Sequence, residues 1–290
     1  MRGFMFPGQG SQQRGMGGEL FDDVPEFGAV EEQINEIAGY SVRDVCLHDR
    51  DGVLGQTEYT QPCLYVVNAL HYYKAIADGS SADYLAGHSL GEYNALLAAG
   101  AFDFVTGFRL VCKRGELMAK AQEGGMAAVI GLSASTLNSV LSDNGLASVD
   151  VANFNSPEQL VISGASSEID QAVEAMQSAG ASMCMRLDVS GAFHSRYMVD
   201  ASKEFERFLT DFHFDRPEIP VIANVTGRPY PPGDPDLTIR AFLTRQMHQP
   251  VKWSQTMRYL MELGVEDLQE LGPGNVLTKL VKKNSGAVTA

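Results

Sequence analysis

Gly87-His88-Ser89-Leu90-Gly91 limits what this chain can fold into more than any other stretch. Upstream, Ala82-Asp83-Tyr84-Leu85 reads as the end of a short buried strand. Downstream, an Ala- and Leu-rich run from Asn94 reads as a helix stopped by Gly100. A strand that becomes a helix within so few residues needs glycine on both sides of the turn, and the serine between them is held out above the sheet edge. The helix behind it aims free N–H groups and its positive dipole end at any oxyanion that develops there. The competing reading is structural: the two glycines let strand and helix pack closely, and Ser89 only caps the helix.

The remaining pattern places this turn in an α/β fold. Gly3-Phe4-Met5-Phe6 is a short apolar strand, and Pro7-Gly8-Gln9-Gly10-Ser11-Gln12 is the loop leaving its end, where open parallel sheets bind ligands. The loop lacks the Gly-Lys-Ser/Thr of a phosphate loop, and on its own it is as well explained as a Gly/Pro turn. Helices are expected at 31–38 and 40–47. Thr60-Gln61-Pro62 is expected to open a buried helix running to Lys74, with proline in its first turn and His71 on its polar side. A further helix is expected over 104–121. Lys113 and Arg114 lie in its middle, and by pattern alone such cations face solvent.

Between 124 and 188 the order changes to strand (126–130), helix (135–143), strand (148–152), strand (159–163), helix (167–178) and strand (182–187). This β-α-β-β-α-β order makes a four-stranded sheet with two helices on one face. With 290 residues there is room for a large domain interrupted by such a unit. The expected architecture is therefore an α/β-hydrolase-like catalytic subdomain with a parallel sheet, residues 1–123 and 189–290. A lid-like, ferredoxin-like subdomain, 124–188, is inserted in it. A cleft between them would have Ser89 at its floor. The last third reads as a strand (219–224), a Pro- and Asp-rich loop (228–236), helices (239–247 and 254–263) and a strand (267–271). After Gly272-Pro273-Gly274 comes a final helix carrying Lys279, Lys282 and Lys283, with a frayed tail beyond Asn284.

A formal net charge of −14 argues against nucleic acid or an anionic membrane as partner. There is neither a signal-peptide pattern nor an apolar run long enough to span a bilayer, so a cytoplasmic location is expected. Cys46, Cys63, Cys112 and Cys184 show neither Cys-x-x-Cys nor metal spacing and read as reduced core residues.

A serine nucleophile needs a base, and neutral imidazole suits that task near pH 7. His88 adjoins Ser89, but neighbouring side chains around a tight turn point apart. His48, His71 and His213 sit in polar helical or loop settings, and His248 precedes a proline segment. His194, in Val189-Ser190-Gly191-Ala192-Phe193-His194-Ser195, lies where the chain re-enters the large subdomain and can face the cleft. The alternative is a histidine in a surface loop.

Six stretches together carry a family resemblance. They are Pro7-Gly8-Gln9-Gly10-Ser11-Gln12, Gly87-His88-Ser89-Leu90-Gly91-Glu92-Tyr93, Asn153-Phe154-Asn155-Ser156-Pro157, Ala192-Phe193-His194-Ser195, Gln249-Pro250-Val251-Lys252-Trp253 and Gly272-Pro273-Gly274-Asn275-Val276-Leu277-Thr278. In order and spacing the chain resembles malonyl-CoA:acyl-carrier-protein transacylases nearly end to end. It looks most like the free-standing, trans-acting acyltransferases of polyketide synthases. The fatty-acid enzyme is the close alternative.

The resemblance implies ping-pong transfer. Ser89 takes malonyl from malonyl-CoA with His194 as base, and the malonyl-serine ester passes to the phosphopantetheine thiol of an acyl carrier protein or a synthase carrier domain. It further implies Gln246 as the backbone carbonyl orienting His194, the N–H groups of Gln9 and Leu90 as the oxyanion hole, and Arg114 as partner of the malonyl carboxylate, a task that suits a planar guanidinium. Phe193 and Leu90 resemble residues of malonyl-selective relatives, the aromatic ring crowding an α-methyl group. No bound metal or organic cofactor is implied, and a monomer is expected.

Acyl-carrier-protein hydrolases are the rival class and generally lack the arginine. A catalytically idle docking subunit is a third reading, disfavoured because Ser89, His194, Arg114, Gln9 and Gln246 are all present. Carrier proteins are acidic, as this chain is, so docking calls for a local basic patch. Lys279, Lys282, Lys283, Arg196, Lys203 and Arg207 are the candidates.

Overall fold

The computed structural model describes residues 1–121, 124–189 and 191–286. The boundary expected at 123 and residues 287–290, where a frayed tail is expected, lie outside the described residues. The chain opens with β1 (Arg2–Phe6), short helical turns α1 (Leu20–Asp23) and α2 (Pro25–Gly28), and helices α3 (Glu31–Ala38), α4 (Val42–Leu47) and α5 (Thr57–Ala77). Next come β2 (Tyr84–Gly87), α6 (Gly91–Ala98) and α7 (Phe104–Lys120). A second group follows: β3 (Gly124–Ile130), α8 (Ala134–Asp143), β4 (Asp150–Ser156), β5 (Gln159–Ala165), α9 (Ser166–Ser178) and β6 (Met183–Arg186). After a 3-10 turn at Arg196–Met198 come α10 (Val199–Leu209), β7 (Val221–Ala223), β8 (Arg228–Pro229), α11 (Pro235–His248), α12 (Trp253–Glu262), β9 (Asp267–Glu270) and α13 (Val276–Ser285).

Two sheets result. The first has the order β8-β7-β2-β1-β9, parallel except for the short edge strand β8. The second has the order β4-β5-β3-β6 and is antiparallel throughout, the pairing of a ferredoxin-like β-α-β-β-α-β unit. The expected fold class is thus the observed one. Each sheet has a core of its own; that of the second holds Leu137, Leu141, Ile162, Ile169 and Met176. The second sheet is tied to the segment between α11 and α12 and to α13. Phe154 N–H donates to Val251 O at 2.9 Å, Val251 N–H donates to Ala152 O at 2.9 Å, and Asn284 Nδ2 donates to Asn155 O at 2.9 Å. Among the described residues no helix is long and apolar enough to cross a membrane.

Several local expectations need correction. α5 starts at Thr57, so Pro62 lies in its second turn and not its first. Helical hydrogen bonding already begins at Gln56 O, and Thr57, Thr60 and Gln61 are buried, so packing against α7 overrides the local cost of proline. β2 is Tyr84–Gly87, two residues later than read, because its register pairs Gly3↔Tyr84 through Phe6↔Gly87. The helix after the turn, α6, starts at Gly91 rather than Asn94. β4 runs Asp150–Ser156, later than 148–152, with register irregularities against β5 where the Asn153-Phe154-Asn155 stretch bulges. α11 begins at Pro235 rather than Ile239, since Asp234 caps Asp236 N–H and proline suits the first helical position. α10 has no counterpart among the expected elements. The last helix runs through Asn284 to Ser285.

Candidate active site

Ser89 sits between β2 and α6 at φ +52°, one of three non-glycine residues with positive φ among the described residues. That strain is held by close packing. A Cβ on Gly91 would lie 2.0 Å from Phe6 O, and one on Gly8 would lie 2.4 Å from His88 O, so only glycine lets the loop after β1 rest on this turn. Asn224, just past β7, fixes the turn from the other side. Its Oδ1 accepts from Ser89 N–H at 2.7 Å and its Nδ2 donates to Gly87 O at 2.6 Å. β7 neighbours β2 in the sheet, which puts Asn224 there. Ser89 N–H is therefore occupied, whereas the N–H groups of Gln9 and Leu90 have no acceptor among the described residues.

His194 comes from 105 residues further along the chain, and its Nε2 lies 2.8 Å from Ser89 Oγ. Its φ is +57° and its N–H donates to Met247 O at 3.2 Å. Nδ1 lies 2.7 Å from Gln246 O, a carbonyl that can only accept. Nδ1 must therefore carry the proton, which leaves Nε2 free to accept from the serine hydroxyl. Burial, and then the charge of Arg114, lower the His194 pKa to about 3, so the imidazole is neutral at physiological pH. His88 is excluded as base, because its Nε2 is engaged with Asn155 Oδ1 at 2.8 Å and its ring lies 5.5 Å from that of Trp253.

Arg114 overturns the solvent-facing pattern of its helix: it is 1% exposed. Nη1 donates to Gln61 Oε1 at 2.6 Å, and Nη2 donates to Ser89 Oγ and Gln246 Oε1, each at 3.1 Å. Three of the five guanidinium N–H groups are thus engaged and two are left over. The guanidinium also lies 5.6 Å from the Tyr93 ring centroid. Beneath this layer the Gln246 carboxamide reaches Glu92, which is fully buried and also accepts from Asn224 N–H at 3.1 Å and from the Tyr230 hydroxyl.

The cleft above Ser89 has a volume of about 260 Å³. Its floor is the loop after β1 with His88–Leu90, and its walls include Phe193, Met126 and Val161 of the second sheet, and Leu277 and Leu280 of α13. The structure thus brings Gln9, Ser89, Leu90, Arg114, Phe193 and His194 to one cleft, with Gln246 directly behind His194. The basic candidates divide. Arg196 is paired with Asp150, Lys203 with Asp200 at 3.0 Å, and Lys283 Nζ donates to Gln159 Oε1 at 2.7 Å. Lys279, Lys282 and Arg207 are exposed.

Sequence reading missed Gln61, Glu92, Asn224 and Tyr230. Glu92 left a signal, an acidic residue in a helix whose other residues are apolar, small or amide. Asn224 and Tyr230 left none, since only the parallel sheet brings β7 beside β2.

The acyl transferase domain profile matches residues 3–287. The chain is 50% identical over 282 residues to the polyketide biosynthesis malonyl CoA-acyl carrier protein transacylase BaeC of Bacillus velezensis, covering 97% of this chain and 95% of that one. It is similar to the crystal structure of malonyl CoA-acyl carrier protein transacylase from Burkholderia pseudomallei, with TM-score 0.93, 46% identity and coverage of 99% and 98%. It is also similar to a malonyl-transacylase solved in complex with its type II polyketide synthase acyl-carrier protein, with TM-score 0.91, 34% identity and coverage of 98% and 93%.

Proposed function

Since this chain belongs to the acyl transferase domain family, we propose that it moves malonyl from malonyl-CoA, through an ester on Ser89, to the phosphopantetheine thiol of an acyl carrier protein. One observation carries the reading: a single oxygen, Ser89 Oγ, lies 2.8 Å from the neutral base His194 and 3.1 Å from the buried cation Arg114.

In the first half-reaction Ser89 Oγ attacks the thioester carbonyl carbon as its proton passes to His194 Nε2. The oxyanion is held by the uncommitted N–H groups of Gln9 and Leu90 at the start of α6. The carbonyl of Gln246 holds Nδ1–H through this change and so keeps the ring in place. The C–S bond then breaks, His194 returns the proton to the coenzyme A sulfur, and malonyl-serine remains. In the second half-reaction the carrier thiol gives its proton to His194 and attacks the ester carbonyl, and Ser89 leaves with that proton. Arg114 takes the malonyl carboxylate with the N–H groups its present partners leave over, and this selects a carboxylated acyl group. Phe193, 5% exposed on the cleft wall, limits bulk at the α-carbon.

The 50% identity to a polyketide biosynthesis transacylase along nearly the whole of both chains supports service to a polyketide synthase in trans. The antiparallel unit of residues 124–188 acts as one wall of the cleft, tied by hydrogen bonds to Val251 and Asn284. Arg114 favours transfer over hydrolysis, because a hydrolase for general acyl groups has no use for a buried cation beside its nucleophile.

Intact-protein mass spectrometry after brief mixing with malonyl-CoA tests the reading. Wild type gains one malonyl group, Ser89→Ala gains none, and added carrier protein receives the group. Release of free malonate instead would establish hydrolysis.

A further inference from the structure

The mechanism above leaves the buried carboxyl group of Glu92 unused. Glu92 is 0% exposed and follows the nucleophile turn directly. Its Oε2 accepts from Gln246 Nε2 at 2.7 Å and Asn224 N–H at 3.1 Å, and its Oε1 accepts from the Tyr230 hydroxyl. The orientation of the Gln246 carboxamide follows from its neighbours. Nε2 faces two acceptors, Ser89 O at 2.9 Å and Glu92, while Oε1 faces Arg114, which can only donate. One amide thus bridges a buried cation and a buried anion, and the main-chain carbonyl of the same residue holds His194.

We propose that Glu92 is the resident counter-charge of Arg114 and a positioning residue for substrate selection: through the Gln246 amide it keeps the guanidinium partly compensated in the empty site and so sets how strongly an incoming carboxylate is held. A buried guanidinium without an anion nearby would be costly, and one fully paired at short range would have no attraction left for substrate. The intervening amide gives the intermediate case. The inference rests on the reading that Arg114 takes the malonyl carboxylate. Burial pushes the Glu92 pKa up to about 7, against the bonds from Tyr230, Gln246 and Asn224 and the charge of Arg114, so the counter-charge is present above that pH and the loading assays belong at pH 8. Tyr93 also lies close to Arg114.

Glu92→Gln is the direct test, because a glutamine can keep its oxygen toward Gln246 and Asn224 and donate to the Tyr230 hydroxyl, so that only charge is removed. Single-turnover loading should be followed with malonyl-CoA and with acetyl-CoA, alongside a thermal melt. Removing an anion about 10 Å from a bound carboxylate should lower the half-saturating malonyl-CoA concentration about threefold or more. That for acetyl-CoA should stay within about twofold, because no carboxylate is involved. Tyr230→Phe gives the same fall, but smaller. It strips one donor from Glu92 without entering the cleft, and it stands in if Glu92→Gln fails to fold.

A malonyl-CoA value that is unchanged or raised in both variants would overturn the inference, as would equal shifts for the two substrates. Arg114→Ala separates the two layers of argument. If it loads malonyl as wild type does, the reading of Arg114 itself fails. If it loses malonyl loading while the Glu92 and Tyr230 variants are silent, only the counter-charge is refuted.

Discussion

Replacing Arg114 puts the malonyl selectivity of the site to the sharpest test. Arg114→Ala removes a guanidinium that meets Gln61, Ser89 and Gln246 and lies in a fully buried setting. A charge-assisted hydrogen bond contributes about 1.5–3 kcal/mol, and a carboxylate held at two points in a desolvated site should lie toward the upper end. Loss of about 2–3 kcal/mol of transition-state binding corresponds to a fall of about 30- to 150-fold in kcat/KM for malonyl-CoA. Acetyl-CoA lacks the carboxylate and should change by less than about fivefold. Arg114→Lys keeps the charge but cannot reproduce the planar fork, and should fall between wild type and alanine. The alanine variant also leaves Glu92 without its cation and Gln61 Oε1 without its donor, a cost of about 2–4 kcal/mol in stability, so the assays belong well below the measured Tm. The reasoning is refuted if malonyl and acetyl kinetics fall by the same factor, because Arg114 would then serve only the architecture of the site.

The other predictions concern stability, packing and docking. Glu92 binds its proton up to about pH 7 in the folded protein but releases it near its ordinary value of 4.5 when unfolded, so the native state holds more protons between these values and stability falls as pH rises through them. The full difference is about 3 kcal/mol. Denaturant melts of wild type at pH 5 and pH 8, compared with Glu92→Gln, should show it as an extra loss in wild type. His194 works in the opposite sense over pH 3–6.5, but is common to both proteins and cancels in the comparison. Gly87→Ala would place a Cβ 1.9 Å from Gly91 C, backbone against backbone, and should lower stability by at least about 2 kcal/mol in the same melts. Reversing charge at Lys279 and Lys282, exposed on the helix whose Leu277 and Leu280 line the cleft, should raise the carrier-protein KM and weaken its rise with salt while malonyl loading from malonyl-CoA is unaltered. An unchanged carrier KM would remove α13 from the docking face.

The chemistry most legible in the sequence was local. Gly87-His88-Ser89-Leu90-Gly91 reported a strained turn because strand, glycines and helix are encoded within a dozen residues, and Ser89 has the positive φ such a turn requires. The β-α-β-β-α-β order was readable for the same reason: period-two and helical patterns alternate over short spans, and antiparallel pairing completed them. Boundaries slipped where packing outweighed propensity, as at Pro62 inside α5, or where a cap decided the start, as at Asp234 before α11.

Residue type and neighbourhood alone pointed to a serine on a tight strand-to-helix turn, to the few histidines that could reach it, and to an antiparallel unit interrupting the larger fold. Only the tertiary structure decided the electrostatics. Arg114 looks like an ordinary surface cation on its helix, and the helix turns that face inward because Gln61, Gln246 and Ser89 from three other segments receive it. Glu92, Asn224 and Tyr230 meet around the turn from positions up to 138 residues apart, because parallel strands that are distant in sequence lie side by side. Burial then sets what these groups do: the same desolvation that keeps His194 neutral and raises Glu92 toward neutrality depends on every element packed around them, which no local pattern can carry.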